Sequence, residues 1–208
     1  MTGTDQIALP LDWPQSREGS RFIAADANKA ALDHLARWNM WPVKATILTG
    51  PRRSGKSLLA RTFVEQVGGR LFDDAEDHEE EALFHAWNAA QDTARPLILV
   101  ADKVPPAWDI ALPDLRTRLA VTPVAEIDHP DDTLFHRLLA LHFEDRGLYL
   151  GDDVATYLAN RIERSYFAAE RVVEAIDRFA IAERARITIP TIRRALERMG
   201  IDGSRGAA

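Results

Sequence analysis

The spacing of apolar residues changes after His129, and the change divides the chain into two parts. Before it, short apolar runs alternate with segments of helical periodicity. The run at 96–100 is fully apolar, which is typical of a central parallel strand buried on both faces, and the segment 46–49 is interpreted as a short buried strand. After it, every periodic segment has helical spacing. The pattern predicts an α/β unit followed by an all-helical unit.

The predicted elements follow from these periodicities and from Gly and Pro stops. A first helix at 26–38 places Leu32, Leu35 and Trp38 on one stripe. About 40 residues separate Lys56 from Leu97, which leaves room for one strand–helix unit where a full phosphate-loop ATPase has two. We therefore expect a short parallel sheet of about four strands. The remaining predictions are strands at 70–73 and 124–127, a helix that opens with 58–64 and ends at the Gly68-Gly69 pair, and helices at 79–91, 131–145, 152–164, 167–184 and 190–199.

Four segments are expected from this organisation. Residues 1–20 are rich in Pro, Asp, Ser and Gly and predict a flexible tail, and 202–208 predicts a disordered one. Residues 21–128 form the predicted α/β nucleotide-binding base, and 129–201 the predicted helical lid.

Composition narrows the class of protein. The chain has 208 residues, 46% hydrophobic, and no cysteine, which excludes disulfides, zinc–thiolate sites and cysteine nucleophiles. Its net charge of −6 argues against strong nonspecific DNA binding by the whole surface. No apolar stretch approaches the roughly 20 residues that span a bilayer, and the start lacks the regions of a signal peptide. We expect a cytoplasmic protein that does not enter membranes.

The strongest motif is a phosphate loop of the pattern GxxxxGK[ST] between a predicted strand and a predicted helix. Its backbone N–H groups and the helix N-terminus would surround phosphates, as ADP or ATP provides. Lys56 would reach the terminal phosphates, and the Ser57 hydroxyl would hold Mg²⁺. The motif comprises Gly50, Pro51, Arg52, Arg53, Ser54, Gly55, Lys56 and Ser57.

Two acids, Asp73 and Asp74, stand at the end of the predicted strand at 70–73 and admit two interpretations. In the first, Asp73 is the carboxylate that orients Mg²⁺, and Asp74 positions the attacking water. In the second, the segment replaces a missing edge strand, so its carboxylates lie too far from the phosphates and form part of an acidic, solvated turn. The sequence does not choose between them.

Several segments together resemble the DnaA/Hda family of AAA+ ATPases, over roughly residues 6–200. The segment 112–119, LPDLRTRL, is the most specific, because it looks like the box that carries the family's arginine finger. The other matching segments are 22–28 at the adenine pocket, 81–88 after the Walker B strand, 101–106 at the sensor-1 strand end, and 187–190 before the last lid helix.

The resemblance implies an AAA+ base with a C-terminal helical lid, and roles for single residues. Arg118 would act in trans, as an arginine finger on ATP bound by a neighbouring subunit. Asp102 lies at the sensor-1 position, from which it would contact the γ-phosphate or the attacking water. Phe167 stands where the family has its sensor-2 arginine, so intrinsic hydrolysis is in doubt. Without the resemblance, Arg116 and Arg118 would be interpreted as part of a salt-bridged surface helix.

The N-terminal tail carries a second motif. The run from Gln6 to Leu11 looks like the peptide with which bacterial proteins bind the sliding clamp, the β subunit of DNA polymerase III. A flexible segment would present a glutamine for polar contacts and apolar side chains for a pocket, with proline lowering the ordering cost. The candidate clamp-binding residues are Gln6, Ile7, Leu9, Pro10 and Leu11.

The function implied by the resemblance is regulation of replication initiation. Such a protein would bind adenine nucleotide and the clamp, would meet DNA mainly through the clamp at the replisome, and would stimulate ATP hydrolysis by DnaA. The sequence leaves open whether the protein forms a homodimer. Two alternatives remain: a free-standing ATPase or phosphotransferase that uses Asp73, Asp74 and Asp102, and an interaction module that holds ADP permanently.

Overall fold

The computed structural model describes residues 22–201, which form an α/β base and a helical region after it. The strands are β1 Ala45–Thr49, β2 Arg70–Phe72, β3 Leu97–Val100 and β4 Val124–Glu126. The base helices are α1 Asp26–Ala36, α2 Lys56–Val67, α3 Glu80–Thr93 and α4 Pro113–Ala120. The later helices are α5 Asp132–Glu144, α6 Asp152–Ala159, α7 Tyr166–Glu183 and α8 Ile189–Arg198.

The four strands form one parallel sheet in the order β2-β3-β1-β4. The central β1 is buried along its whole length, as its apolar run requires. The expected short parallel sheet is confirmed. Between β1 and β3 the chain forms one strand–helix unit, β2 with α3, and β2 is the outer strand beside β3. The carboxyl ends of all four strands therefore lie along one edge of the sheet.

Apolar side chains cover both faces of the sheet. One face packs against α3 and α4 through residues such as Leu83, Ile110 and Leu115. The other packs against α1 and α2, with Leu35 and Phe63 in its core. These two layers hold the carboxyl ends of the strands and the loops that follow them in fixed positions.

The helices after Asp128 have a hydrophobic core of their own, which includes Phe135, Phe143 and Ile176. Tyr166, the first residue of α7, belongs instead to the core of the base. Its hydroxyl donates to the carbonyl of Asp128 at 3.0 Å. Burial, with Asp128 and Asp131 nearby, raises the pKa of Tyr166 to about 12. Tyr166 thus anchors the helical region to the base.

Two predicted helix ends were wrong. Helix α1 ends at Ala36, and Trp38 begins a separate 3₁₀ helix, although Leu32, Leu35 and Trp38 all pack against one core as predicted. Helix α6 ends at Ala159, five residues before the predicted end at Arg164. Ser165 then caps α7 by accepting a hydrogen bond from the Ala168 N–H. Separately, no helix among residues 22–201 is both long and apolar enough to span a bilayer.

Candidate functional site: the phosphate loop and the end of α4

The phosphate loop connects β1 to α2 through backbone conformations that need glycine. Gly50 has φ of 146°, and a Cβ there would lie 2.5 Å from the Ile127 carbonyl oxygen at the end of β4. Gly55 precedes α2 with φ of 88°. The loop is therefore packed against the sheet end and opens onto the N-terminus of a 12-residue helix, where free N–H groups favour phosphate.

Lys56 lies across this loop and is only 8% exposed. Its Nζ donates to the carbonyls of Gly50, at 2.8 Å, and Pro51, at 3.2 Å. It also forms an ion pair with Asp102 at 3.1 Å. Asp102 follows β3, and its side chain is 63% exposed. The residue expected to reach phosphate and the residue expected at sensor 1 are thus in direct contact.

Ser57 and Asp73 also meet at this edge of the sheet. The Ser57 hydroxyl donates to Asp73 Oδ1 at 2.8 Å, and Arg61 pairs with Asp73 Oδ2 at 3.1 Å. Strand β2 is an outer strand, as the second interpretation expected. That interpretation also required the Asp73 carboxylate to lie far from the loop, whereas the carboxylate contacts Ser57. Asp74 is exposed at φ of 50°, and no hydrogen bond or ion pair joins it to the loop within residues 22–201.

Two clefts adjoin the phosphate loop. A largely apolar one of about 200 Å³ lies between the base and α5, lined by Phe22, Ile23, Leu58, Leu138 and His142 among others. The predicted adenine segment therefore does contribute residues to a cleft beside the loop. Burial lowers the pKa of His142, so an uncharged imidazole is favoured there. The second cleft, of about 430 Å³, is lined by Pro51, Asp102, Glu126 and Phe167 among others.

The two arginines of the loop contact α7. Arg53 forms an ion pair with Glu170 at 3.0 Å. The Arg52 guanidinium carbon lies 6.0 Å from the centre of the Phe167 ring, and that of Arg171 lies 5.6 Å from it. Arg164 pairs instead with Asp132 at the start of α5. At the expected sensor-2 position the structure therefore has an aromatic ring that faces the second cleft, with arginines beside it.

Arg118 occupies the last turn of α4 and lies along α3 of its own subunit. Its Nε donates to the Asn88 side-chain oxygen at 2.9 Å, and one terminal nitrogen donates to the Asp114 carbonyl at 3.1 Å. Its guanidinium carbon lies 4.4 Å from the ring centre of Phe84 and 5.5 Å from that of Trp87. The side chain is half-buried, and no carboxylate among residues 22–201 pairs with it.

The acids after β2 include two whose contacts the sequence did not indicate. Glu76 Oε1 accepts the backbone N–H groups of Asp102 and Lys103, both at 2.7 Å. Glu80 accepts the N–H groups of Ala111 at 2.8 Å and Leu112 at 2.5 Å, directly before α4. Each pairs with main chain more than 25 residues away, and no local motif announces such a partner. The clamp-binding candidates at 6–11 lie outside the described residues.

Three comparisons relate the chain to known proteins. Residues 132–196 match the family model described as Hda, lid domain. A Haemophilus influenzae protein, described as uncharacterized, is 28% identical over 121 residues, which are 58% of this chain and 52% of that protein. The chain therefore spans about half the length of this curated relative.

Solved structures share the fold. Domain III of the Thermotoga maritima replication initiation protein DnaA has a TM-score of 0.70 at 14% identity, over 85% of this chain and 94% of that one. The Thermotoga maritima RuvB Holliday junction branch migration motor has a TM-score of 0.62 at 17% identity, over 86% and 70% of the two chains. At such identities the likeness concerns the fold alone. The chain thus has the AAA+ fold of DnaA domain III and RuvB, and its residues 132–196 match the lid of Hda.

Proposed function

We propose that this protein regulates replication initiation by stimulating the ATP hydrolysis of DnaA. The observation that carries the proposal is the match of residues 132–196 to the lid of Hda, in a chain whose base has the DnaA fold. In this proposal the chain binds adenine nucleotide, attaches to the sliding clamp through its N-terminal motif, and applies Arg118 to ATP held by DnaA. Its place of action is the replisome in the cytoplasm, where it reaches DNA through the clamp.

The nucleotide proposal is supported by the phosphate loop. Lys56 would exchange its carbonyl partners for phosphate oxygens, a stronger charge-assisted contact. The Ser57 hydroxyl and the Asp73 carboxylate are 2.8 Å apart, so both can face one Mg²⁺. Because Mg²⁺ takes roughly six oxygen ligands, phosphate and water would complete the set. The apolar cleft beside Phe22 and Ile23 suits a flat base such as adenine.

The arginine proposal is supported by the groups that hold Arg118. They are one amide, one main-chain carbonyl and two aromatic rings, none of which carries a negative charge. A phosphoryl group carries negative charge, and the planar guanidinium can form two parallel hydrogen bonds to its oxygens. To act in trans the side chain must leave α3, and an anionic partner would favour that exchange.

The test measures ATP hydrolysis by ATP-bound DnaA with clamp-loaded DNA and this protein. Arginine fingers supplied in trans accelerate hydrolysis by roughly 10³ to 10⁵, so Arg118→Ala should remove at least about 100-fold of the stimulation. Arg178→Ala serves as the control, because Arg178 is an exposed arginine on α7 that pairs with Glu174 of the same helix. Undiminished stimulation by the Arg118→Ala protein would refute the proposal.

Clamp attachment is tested separately by a clamp pull-down. The full chain should be retained, whereas a chain with Leu9→Ala and Leu11→Ala should not, since the two leucines would fill the apolar pocket of the clamp. Nucleotide binding should be the same in both proteins. Equal retention would exclude the motif as the attachment site.

A free-standing ATPase is the second candidate, and the contact between Ser57 and Asp73 favours it, because the Mg²⁺-binding pair belongs to one subunit. It predicts turnover by the purified protein without DnaA or clamp, abolished by Lys56→Ala. Turnover that appears only with partners excludes this candidate.

A further inference from the structure

The segment 73–80, here called the acidic connector, touches three functional parts of the base at once. Asp73 contacts Ser57 of the phosphate loop at 2.8 Å. Glu76 holds the two N–H groups that follow β3, at Asp102 and Lys103. Glu80 holds the two N–H groups that precede α4. Within eight consecutive residues, the chain links the phosphate loop, the sensor-1 strand end and the helix of Arg118.

The backbone gives this connector a fixed course. Asp74 is left-handed at φ of 50°, and Ala75, fully buried, begins a 3₁₀ helix that ends at Asp77. Beyond it, Glu80 is the first residue of α3, whose apolar side packs on the sheet. The carboxylates of Glu76 and Glu80 are thus presented from positions that the core fixes, and they do not act as freely rotating surface acids.

Each of the two carboxylates makes a pair of short hydrogen bonds to main-chain N–H groups, between 2.5 and 2.8 Å. Bonds to an ionised acceptor are shorter and stronger than neutral ones. At α4 the negative charge also lies at the helix N-terminus, where the helix dipole favours it. Glu80 therefore fixes the N-terminal end of α4, and Arg118 lies in the last turn of the same helix.

We propose that Glu76 and Glu80 are positioning residues that couple occupancy of the phosphate loop to the placement of Arg118. Mg²⁺ and phosphate bound at Ser57 and Asp73 would shift or stiffen the acidic connector. Because Glu80 is hydrogen-bonded to the start of α4, the change in the connector would move or stiffen α4 as well. Arg118 lies six residues from Leu112, or roughly 9 Å along the helix, so a small tilt at Glu80 displaces the guanidinium. For Arg118 the inference rests on the proposed function.

The first experiment needs no partner protein. Hydrogen exchange is measured at the amides of Lys103, Ala111 and Leu112, with and without Mg-ADP. Exchange at these amides should be slow and should slow several-fold further with Mg-ADP. Glu80→Gln leaves one acceptor oxygen, so it should speed exchange at Ala111 and Leu112 and weaken their response. If the exchange rates of these amides change neither with Mg-ADP nor in the Glu80→Gln protein, the inference is overturned, independently of the result with DnaA.

The second experiment is a double-mutant cycle in the DnaA hydrolysis assay. Glu80→Gln should lower the stimulation about tenfold while nucleotide affinity stays within twofold, and should have no further effect on the Arg118→Ala protein. The matched control is Glu81→Gln, at an exposed neighbour on the same helix. Equal activity of the Glu80→Gln and Glu81→Gln proteins would overturn the inference. Absence of stimulation by the wild type would instead refute the proposed function.

Discussion

Lys56 and Arg118 are both cations held inside their own subunit, but by different kinds of group. Lys56 is almost fully buried and pairs with the Asp102 carboxylate, so its charge is compensated in place. Arg118 is half-buried and is held by neutral groups alone among the described residues. The charge of Lys56 is thus neutralised by an acid of its own chain, whereas Arg118 has no acidic partner among residues 22–201.

The largest expected effect comes from removing the compensated cation. Lys56→Ala deletes the ammonium group that would contact the phosphates, so affinity for ADP should fall by about 100-fold. Fluorescent-ADP titration measures the change. Lys44→Ala is the control, since the Lys44 ammonium donates to the exposed Asn39 carbonyl, away from the loop. If nucleotide affinity survives in the Lys56→Ala protein, the loop does not bind phosphate in the proposed way.

The next effect concerns the carboxylate that compensates Lys56. Asp102→Asn keeps the shape of the side chain but removes a negative charge beside the place proposed for the terminal phosphate. Because ATP carries more charge there than ADP, its affinity should rise about tenfold relative to that of ADP. Competition between the two nucleotides on both proteins gives the ratio. An unchanged ratio would mean that Asp102 lies outside the field of the phosphates.

The smallest effect is expected at the uncompensated cation. Asn88→Ala removes one hydrogen bond from Arg118, worth about 1 kcal/mol, and leaves the cation–π contacts in place. Arg118 should leave α3 more often, and DnaA hydrolysis at limiting protein should rise about two- to threefold. Asn160→Ala, at an exposed asparagine after α6, is the control. A fall in stimulation would show that α3 presents the arginine to the partner.

Much of the candidate nucleotide site, and of the sheet that carries it, could be predicted from the sequence because the signals are local. A phosphate loop is a contiguous motif, and the apolar runs at β1 and β3 mark central strands without knowledge of their neighbours. The short sheet followed from the number of residues between Lys56 and Leu97. Asp73 was recognised as a candidate for the same reason, since it directly follows an apolar strand.

The contacts of Glu76, Glu80 and Arg118 could not be predicted because they depend on distant partners. Glu80 meets main-chain N–H groups at 111 and 112, and these carry no sequence signal of their own. Arg118 meets α3 only because α3 and α4 share one face of the sheet. The end of α6 has a local cause: Ser165 caps α7, a signal that helical periodicity does not carry.

The two outer strands of the sheet, β2 and β4, have three residues each, whereas the inner β1 and β3 have five and four. An outer strand exposes unpaired N–H and C=O groups, which can recruit a strand from another molecule and seed aggregation. With three residues, each margin offers little template for such pairing. The short outer strands therefore protect this reduced sheet against edge-to-edge association.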